Sequence, residues 1–156
     1  MATGTMKWFA QALHDLGNKI HDLDSDSFQL GIVTTATVPA VNTAAPHWGG
    51  TGTTNFATNQ AATGGTSYTG PIALPTETWT LGATGAVMDW ADTATQLAQD
   101  AAGFTNGAYG IIYNNTDANK RAIGWIEISA AGTASLVTGA LNINLSASGA
   151  FSLSQA

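Results

Sequence analysis

Cysteine is missing from all 156 residues, which excludes disulfides, thiolate metal sites and thiol catalysis. Charge is nearly as scarce. Asp, Glu, Lys and Arg make up 9% of the chain, against roughly 25% in an ordinary soluble domain. Only 4 residues are basic, and the net charge is −6. Displacing counterions from a phosphate backbone takes several Lys or Arg, so this balance argues against a nucleic-acid partner. No stretch approaches the 18 or so apolar residues that a spanning helix requires, which argues against a membrane partner. The start of the chain holds one Lys and no apolar run, unlike a cleaved secretory signal, so the expected place of synthesis is the cytoplasm.

Small residues stand where charge would be. There are 28 alanines and 18 glycines, beside 5 Trp, 5 Phe and 3 Tyr. The large apolar residues are enough for a thin core spaced by Ala and Gly, and the length suits a single domain spanning 1–156. A surface of Thr, Ser, Asn, Gln and Ala offers little colloidal repulsion between copies. That composition points to assembly.

The spacing predicts one helix, over about residues 4–21. Trp8, Ala12, Leu16 and Ile20 recur every four residues with Phe9 and Leu13 beside them, while Lys7, Gln11, Asp15, Asn18 and Lys19 line the other face. Gly17 is a weak point in that helix. From Ser27 onward the period changes to two. Strands are expected over residues 28–34, 77–81, 85–90, 108–113, 122–128, 139–145 and 150–153, with a further short one near residues 66–72. Two hairpins are expected, one joining 108–113 to 122–128 and one joining 139–145 to 150–153 through a turn at Ser148 and Gly149. Residues 92–102 are expected to form a short helix. Residues 46–70, rich in Gly, Thr and Asn, read as a long excursion anchored by Trp48, Phe56 and Tyr68. The fold class these patterns predict is mainly β, an antiparallel β-sandwich or jelly-roll-like domain with an N-terminal α-helix.

Catalytic and metal sets are hard to assemble from this chain. Asp22, Asp24 and Asp26 alternate like the first ligands of an EF-hand loop, but the sixth position is Ser27 instead of Gly and the twelfth is Val33 instead of Glu. A solvated acidic turn accounts for them. His14 and His21 lie two helical turns apart, about 10 Å, too far for one ion. His47 beside Trp48 reads as packing. Glu77 and Glu127 are the only glutamates, and alternation along their strands makes them outward-facing polar positions. The expectation is therefore no catalytic residue, no cofactor and no metal.

Candidate interface residues are easier to name. They are Trp8, Phe9, Leu13 and Leu16 on the helix, Trp48, Phe56 and Tyr68 in the excursion, and the basic pair Lys120 and Arg121 after a polar turn. The aromatic trio suits either an interface anchor, a sugar-stacking platform or plain core anchoring of the loop.

The order of segments resembles a known family. His21, Leu23, Ser25, Asp26, Phe28 and Leu30 match an "H-x-L-x-S-D-x-F-x-L" opening that follows a helix. Tyr109, Ile111, Tyr113, Asn114 and Thr116 match "Y-x-I-x-Y-N-x-T", and Ile123, Gly124 and Trp125 match "I-G-W/Y". This pattern resembles a family of small tailed-bacteriophage virion proteins, over about the first 35 and last 50 residues. The resemblance implies a capsid decoration, or cement, protein on the outside of an icosahedral head. It implies the major capsid protein and further copies of this chain, such as a trimer, as partners, and the virion as the location. The family supplies no catalytic residues.

Overall fold

A computed structural model describes residues 2–3, 6–75, 77–81, 85–90, 95–129, 132–145 and 151–154. In chain order the elements are β1 (Ala2–Thr3), β2 (Lys7–Trp8), α1 (Ala10–Gly17), β3 (Phe28–Val33), β4 (Pro46–His47) and β5 (Thr54–Asn55). A 3₁₀ turn (Phe56–Asn59) and β6 (Ile72–Ala73) follow, then β7 (Glu77–Leu81), β8 (Gly85–Trp90) and β9 (Thr95–Leu97). The chain continues through β10 (Tyr109–Asn114), β11 (Ala122–Glu127), β12 (Leu141–Asn144) and β13 (Phe151–Ser154). The fold is mainly β, with antiparallel sheets in a sandwich-like arrangement and a helix near the N-terminus.

The largest sheet has the order β2-β11-β10-β3-β6, and its three central strands are buried along nearly their whole length. Ile, Val and aromatic residues dominate these strands, as expected where both faces of a sheet are covered. Register fixes which residues share a face. Ile111 lies opposite both Gly31 and Trp125, and Tyr113 lies opposite Gln29. Phe9 rests on Trp125 with ring centroids 4.7 Å apart, Phe56 follows at 5.8 Å from Phe9, and the Trp48 indole stacks flat on Tyr113 at 5.4 Å. Gly31 is required there, because a Cβ would run into the Trp48 ring. On the opposite face, Phe28 meets the edge of Trp90 from β8, so the β13-β8-β7 sheet packs across it.

Several sequence expectations are corrected by this arrangement. The helix covers residues 10–17 instead of 4–21: Lys7 and Trp8 pair with Trp125 and Gly124 as a strand, and the helix stops at Gly17. Edge pairing satisfies backbone groups that a helical turn would otherwise have to satisfy. Residues 92–102 are no helix where they are described, because Thr95–Leu97 pairs with β12. The final hairpin is also absent as a pairing: β12 lies between β1 and β9, while β13 pairs with β8. The connection expected between residues 145 and 150 lies outside the described residues. The short strand forms at 72–73. The first hairpin is as expected, with β10 and β11 antiparallel.

The excursion at 46–70 is pinned down along its length. Asn55 Oδ1 accepts from Gly49 N–H at 2.9 Å and Ala57 N–H at 3.1 Å, and β4 pairs in parallel with β5. Asp100 fixes the far end, its carboxylate accepting the backbone N–H groups of Thr66, Ser67 and Ala102. Gly65 passes so close that a Cβ would meet that carboxylate. These donors hold the Asp100 carboxyl down at about 2, with the backbone N–H of Ser67 contributing most. A depressed folded pKa gives stability that is present above the ordinary carboxylate value and lost as pH falls through the folded one. Asp100→Asn is therefore expected to flatten the loss of thermal stability between about pH 4 and pH 2, measured by melting temperature against pH.

Candidate docking face and the polar knot behind it

The eight residues of α1 divide by burial. Ala12 and Asp15 face inward, Leu16 packs partly against the core, and Ala10, Leu13, His14 and Gly17 are exposed. Leu13 keeps 50% of its surface in solvent. The Ala10 N–H donates to Val41 O at 2.8 Å, which seats the loop of residues 34–45 beside the start of the helix. That loop contains no charged residue. It is held by Asn59 Nδ2 donating to Thr37 Oγ1 at 2.6 Å and by reciprocal bonds between Ala40 and Thr43. Pro39 is buried, and Val38 and Val41 on either side of it are 61% and 58% exposed. A fixed loop and a helix thus present three branched apolar side chains to solvent.

Behind this face sits a knot of buried polar groups. Asn114 ends β10 and is fully buried. Its Oδ1 accepts from the N–H groups of Thr116 at 2.9 Å and Asp117 at 3.0 Å, which fixes the amide orientation. Its Nδ2 then faces His21 Nδ1 at 3.1 Å and donates to Asp26 Oδ2. His21 Nδ1 must accept, so the neutral ring carries its proton on Nε2, which lies 3.9 Å from Asp15 Oδ2. The other Asp15 oxygen accepts from Gln11 Nε2 at 2.9 Å, and Arg121 Nε stands 3.9 Å from both Asp15 and Asp117. Burial pushes the His21 imidazole below its ordinary 6.5, outweighing the attraction of Asp15, Asp117 and Asp26. Among the described residues His21 Nδ1 meets the Asn114 amide and Nε2 has no hydrogen-bond partner.

The nine residues singled out from sequence are dispersed. Leu13 lies on the exposed face and Leu16 at its edge. Trp8 is half-buried on β2, and Phe9 is fully buried ahead of the helix. Trp48, Phe56 and Tyr68 are 7%, 0% and 1% exposed, so no sugar can stack on them and core anchoring is their role in this chain. Tyr68 exchanges its hydroxyl with the backbone of Ile32, accepting from the N–H at 2.9 Å, and burial raises its pKa. Lys120 Nζ donates to Asn115 O and Oδ1 at 2.9 and 2.6 Å, closing its own turn, and the Arg121 N–H donates to Asp117 Oδ2 at 3.1 Å.

Glu127 forms an exposed ion pair with Lys7 at 2.6 Å. Glu77 is buried, contrary to the expected outward position, and burial followed by the nearby Asp26, Asp24 and Asp22 raises its pKa. The two glutamates stand in different sheets. Asp22 and Asp26 spend their carboxylates on the N–H groups of Asp24 and Asp22, as an acidic turn does. Among the described residues no group of three or more His, Asp or Glu is placed to hold a metal ion, and no helix is long and apolar enough to cross a membrane.

Sequence reasoning passed over Asp15, Asn114 and the exposed Val38 and Val41. The signal for the knot lies in two of the three motifs quoted above. His21 and Asp26 belong to one, Asn114 and Thr116 to the other, and Ser27 N–H also donates to Thr116 Oγ1 at 2.9 Å. No family model, no curated protein and no solved structure matches this chain.

Proposed function

We propose that the protein is a non-enzymatic virion structural protein, a decoration or cement subunit that docks on the outer surface of an icosahedral phage head and acts as a homo-oligomer. The observation that carries this reading is the solvent exposure of three large apolar side chains, Leu13 on α1 and Val38 and Val41 in the loop bonded to the start of that helix. Apolar groups held rigid in solvent lose little conformational entropy when a partner covers them. The motifs at residues 21–30, 109–116 and 123–125 that resemble those of tailed-bacteriophage virion proteins support the phage assignment. A cement subunit acts by mass action. At a free concentration 100 times its dissociation constant it stabilises each occupied shell site by about 2.7 kcal/mol.

Co-sedimentation with undecorated shells of the cognate phage tests the reading. The native chain is expected to pellet at saturable, stoichiometric occupancy. Leu13→Asp combined with Val41→Asp is expected to weaken binding by at least about tenfold, because burying an unpaired carboxylate costs well over the 1.4 kcal/mol that a factor of ten represents. Absence of binding by the native chain would sink the proposal.

A further inference from the structure

The His21 site disfavours a proton on Nδ1, because the Asn114 amide already donates there. The His21 side chain has no solvent exposure, and the Asn114 amide that faces Nδ1 cannot turn over without giving up two backbone N–H bonds and its bond to Asp26. Protonation would place an N–H on Nδ1 against the Asn114 N–H at 3.1 Å, a donor against a donor. The charged groups around the ring are Asp15 from α1, Asp26 from the acidic turn, and Asp117 and Arg121 from the turn between β10 and β11. The carboxylate nearest to Nε2, that of Asp15, stays 3.9 Å away, beyond a hydrogen bond.

We propose that His21 and Asn114 form an acid-released latch: proton uptake from solvent drives the imidazole out of its site and frees residues 15–26 from the end of β10 while the sheet stays folded. The freed segment includes the end of α1 and the acidic turn. Burial of the ring works in the same direction, since a group whose folded pKa is lowered keeps its full contribution above the unfolded value and loses it as pH falls below about 6.5. The inference stands apart from the docking role and is tested on the isolated chain.

Hydrogen exchange between pH 7.5 and pH 4.5 reads it, expressed as protection factors so that the intrinsic pH dependence cancels. The amides of Ile20 and Asp26, bonded to Asp15 O and Asp22 O, are expected to lose protection progressively as pH falls below about 6.5. Those of β10 and β11 are expected to hold. His21→Gln keeps an acceptor for Asn114 and cannot take up the proton, so its profile is expected to be flat across this range. A flat profile in the native chain, a parallel loss across the sheet, or an unchanged slope in His21→Gln each overturns the latch. Should that variant not fold, the ring nitrogen shifts of the native chain decide. A ring that stays Nε2-protonated and neutral until the segment opens supports it, and one that titrates in place at its ordinary value overturns it.

Discussion

Asn114→Ala is expected to lower the unfolding free energy by about 3–5 kcal/mol, seen as a fall in urea midpoint without a change in slope. The side chain is fully buried and serves four partners at once: two backbone N–H groups, the His21 ring and the Asp26 carboxylate. Alanine supplies none of these bonds and leaves the buried His21 nitrogen without a donor. Each buried group left unsatisfied costs about 1–3 kcal/mol, and their sum exceeds the roughly 1 kcal/mol of an average substitution. A change under about 1 kcal/mol would mean that the knot is not what joins the 21–27 segment to the β10–β11 turn.

Phe9→Ala carries an effect of similar size by a different route. Phe9 has no exposure and sits between Trp125 and Phe56, so its removal leaves a cavity at the centre of one sheet face. Large-to-small changes at such sites cost about 3–5 kcal/mol. Leu13→Ala, four positions on, is expected to change stability by less than about 0.5 kcal/mol, because half of that side chain already faces water. The contrast within one short segment is the informative part. A helix running over 4–21 would place both residues on one buried face, and the two substitutions would then cost comparable amounts.

This contrast shows where the sequence was legible. Local patterning marks β3, β7, β8, β10 and β11, because Phe28, Trp79, Ile111 and Ile123 lie in short apolar or alternating runs bounded by turn residues. The β10–β11 hairpin was legible for the same reason, since Asn114, Asn115, Thr116 and Asp117 make a turn between adjacent strands. Pairings between distant segments left no such trace. Nothing local distinguishes a β13 that pairs with β12 from one that pairs with β8, some 65 residues away. Trp8 fits a four-residue period and yet lies in a strand, because β11 offers it an open edge.

The candidate site was legible in part. Of the candidate interface residues Leu13 is half exposed, whereas Phe9, Trp48, Phe56 and Tyr68 lie in the core. Composition could not separate the two, since an aromatic ring marks a core anchor and an interface anchor alike. Val38 and Val41 sit in a loop with no periodicity, and only the bond from Ala10 to Val41 makes them part of a face. The knot joins residues 93 positions apart, so its members read separately as a lone histidine and a turn asparagine. The low charge content noted at the outset now has a location, for the loop of residues 34–45 is wholly uncharged where it meets the helix.

A reconstruction of shells saturated with the protein tests the central claim most directly. The account predicts one ordered copy per binding position, with Leu13, Val38 and Val41 turned toward the shell or a sister subunit and covered. Ordered copies whose Leu13, Val38 and Val41 all face open solvent would contradict it.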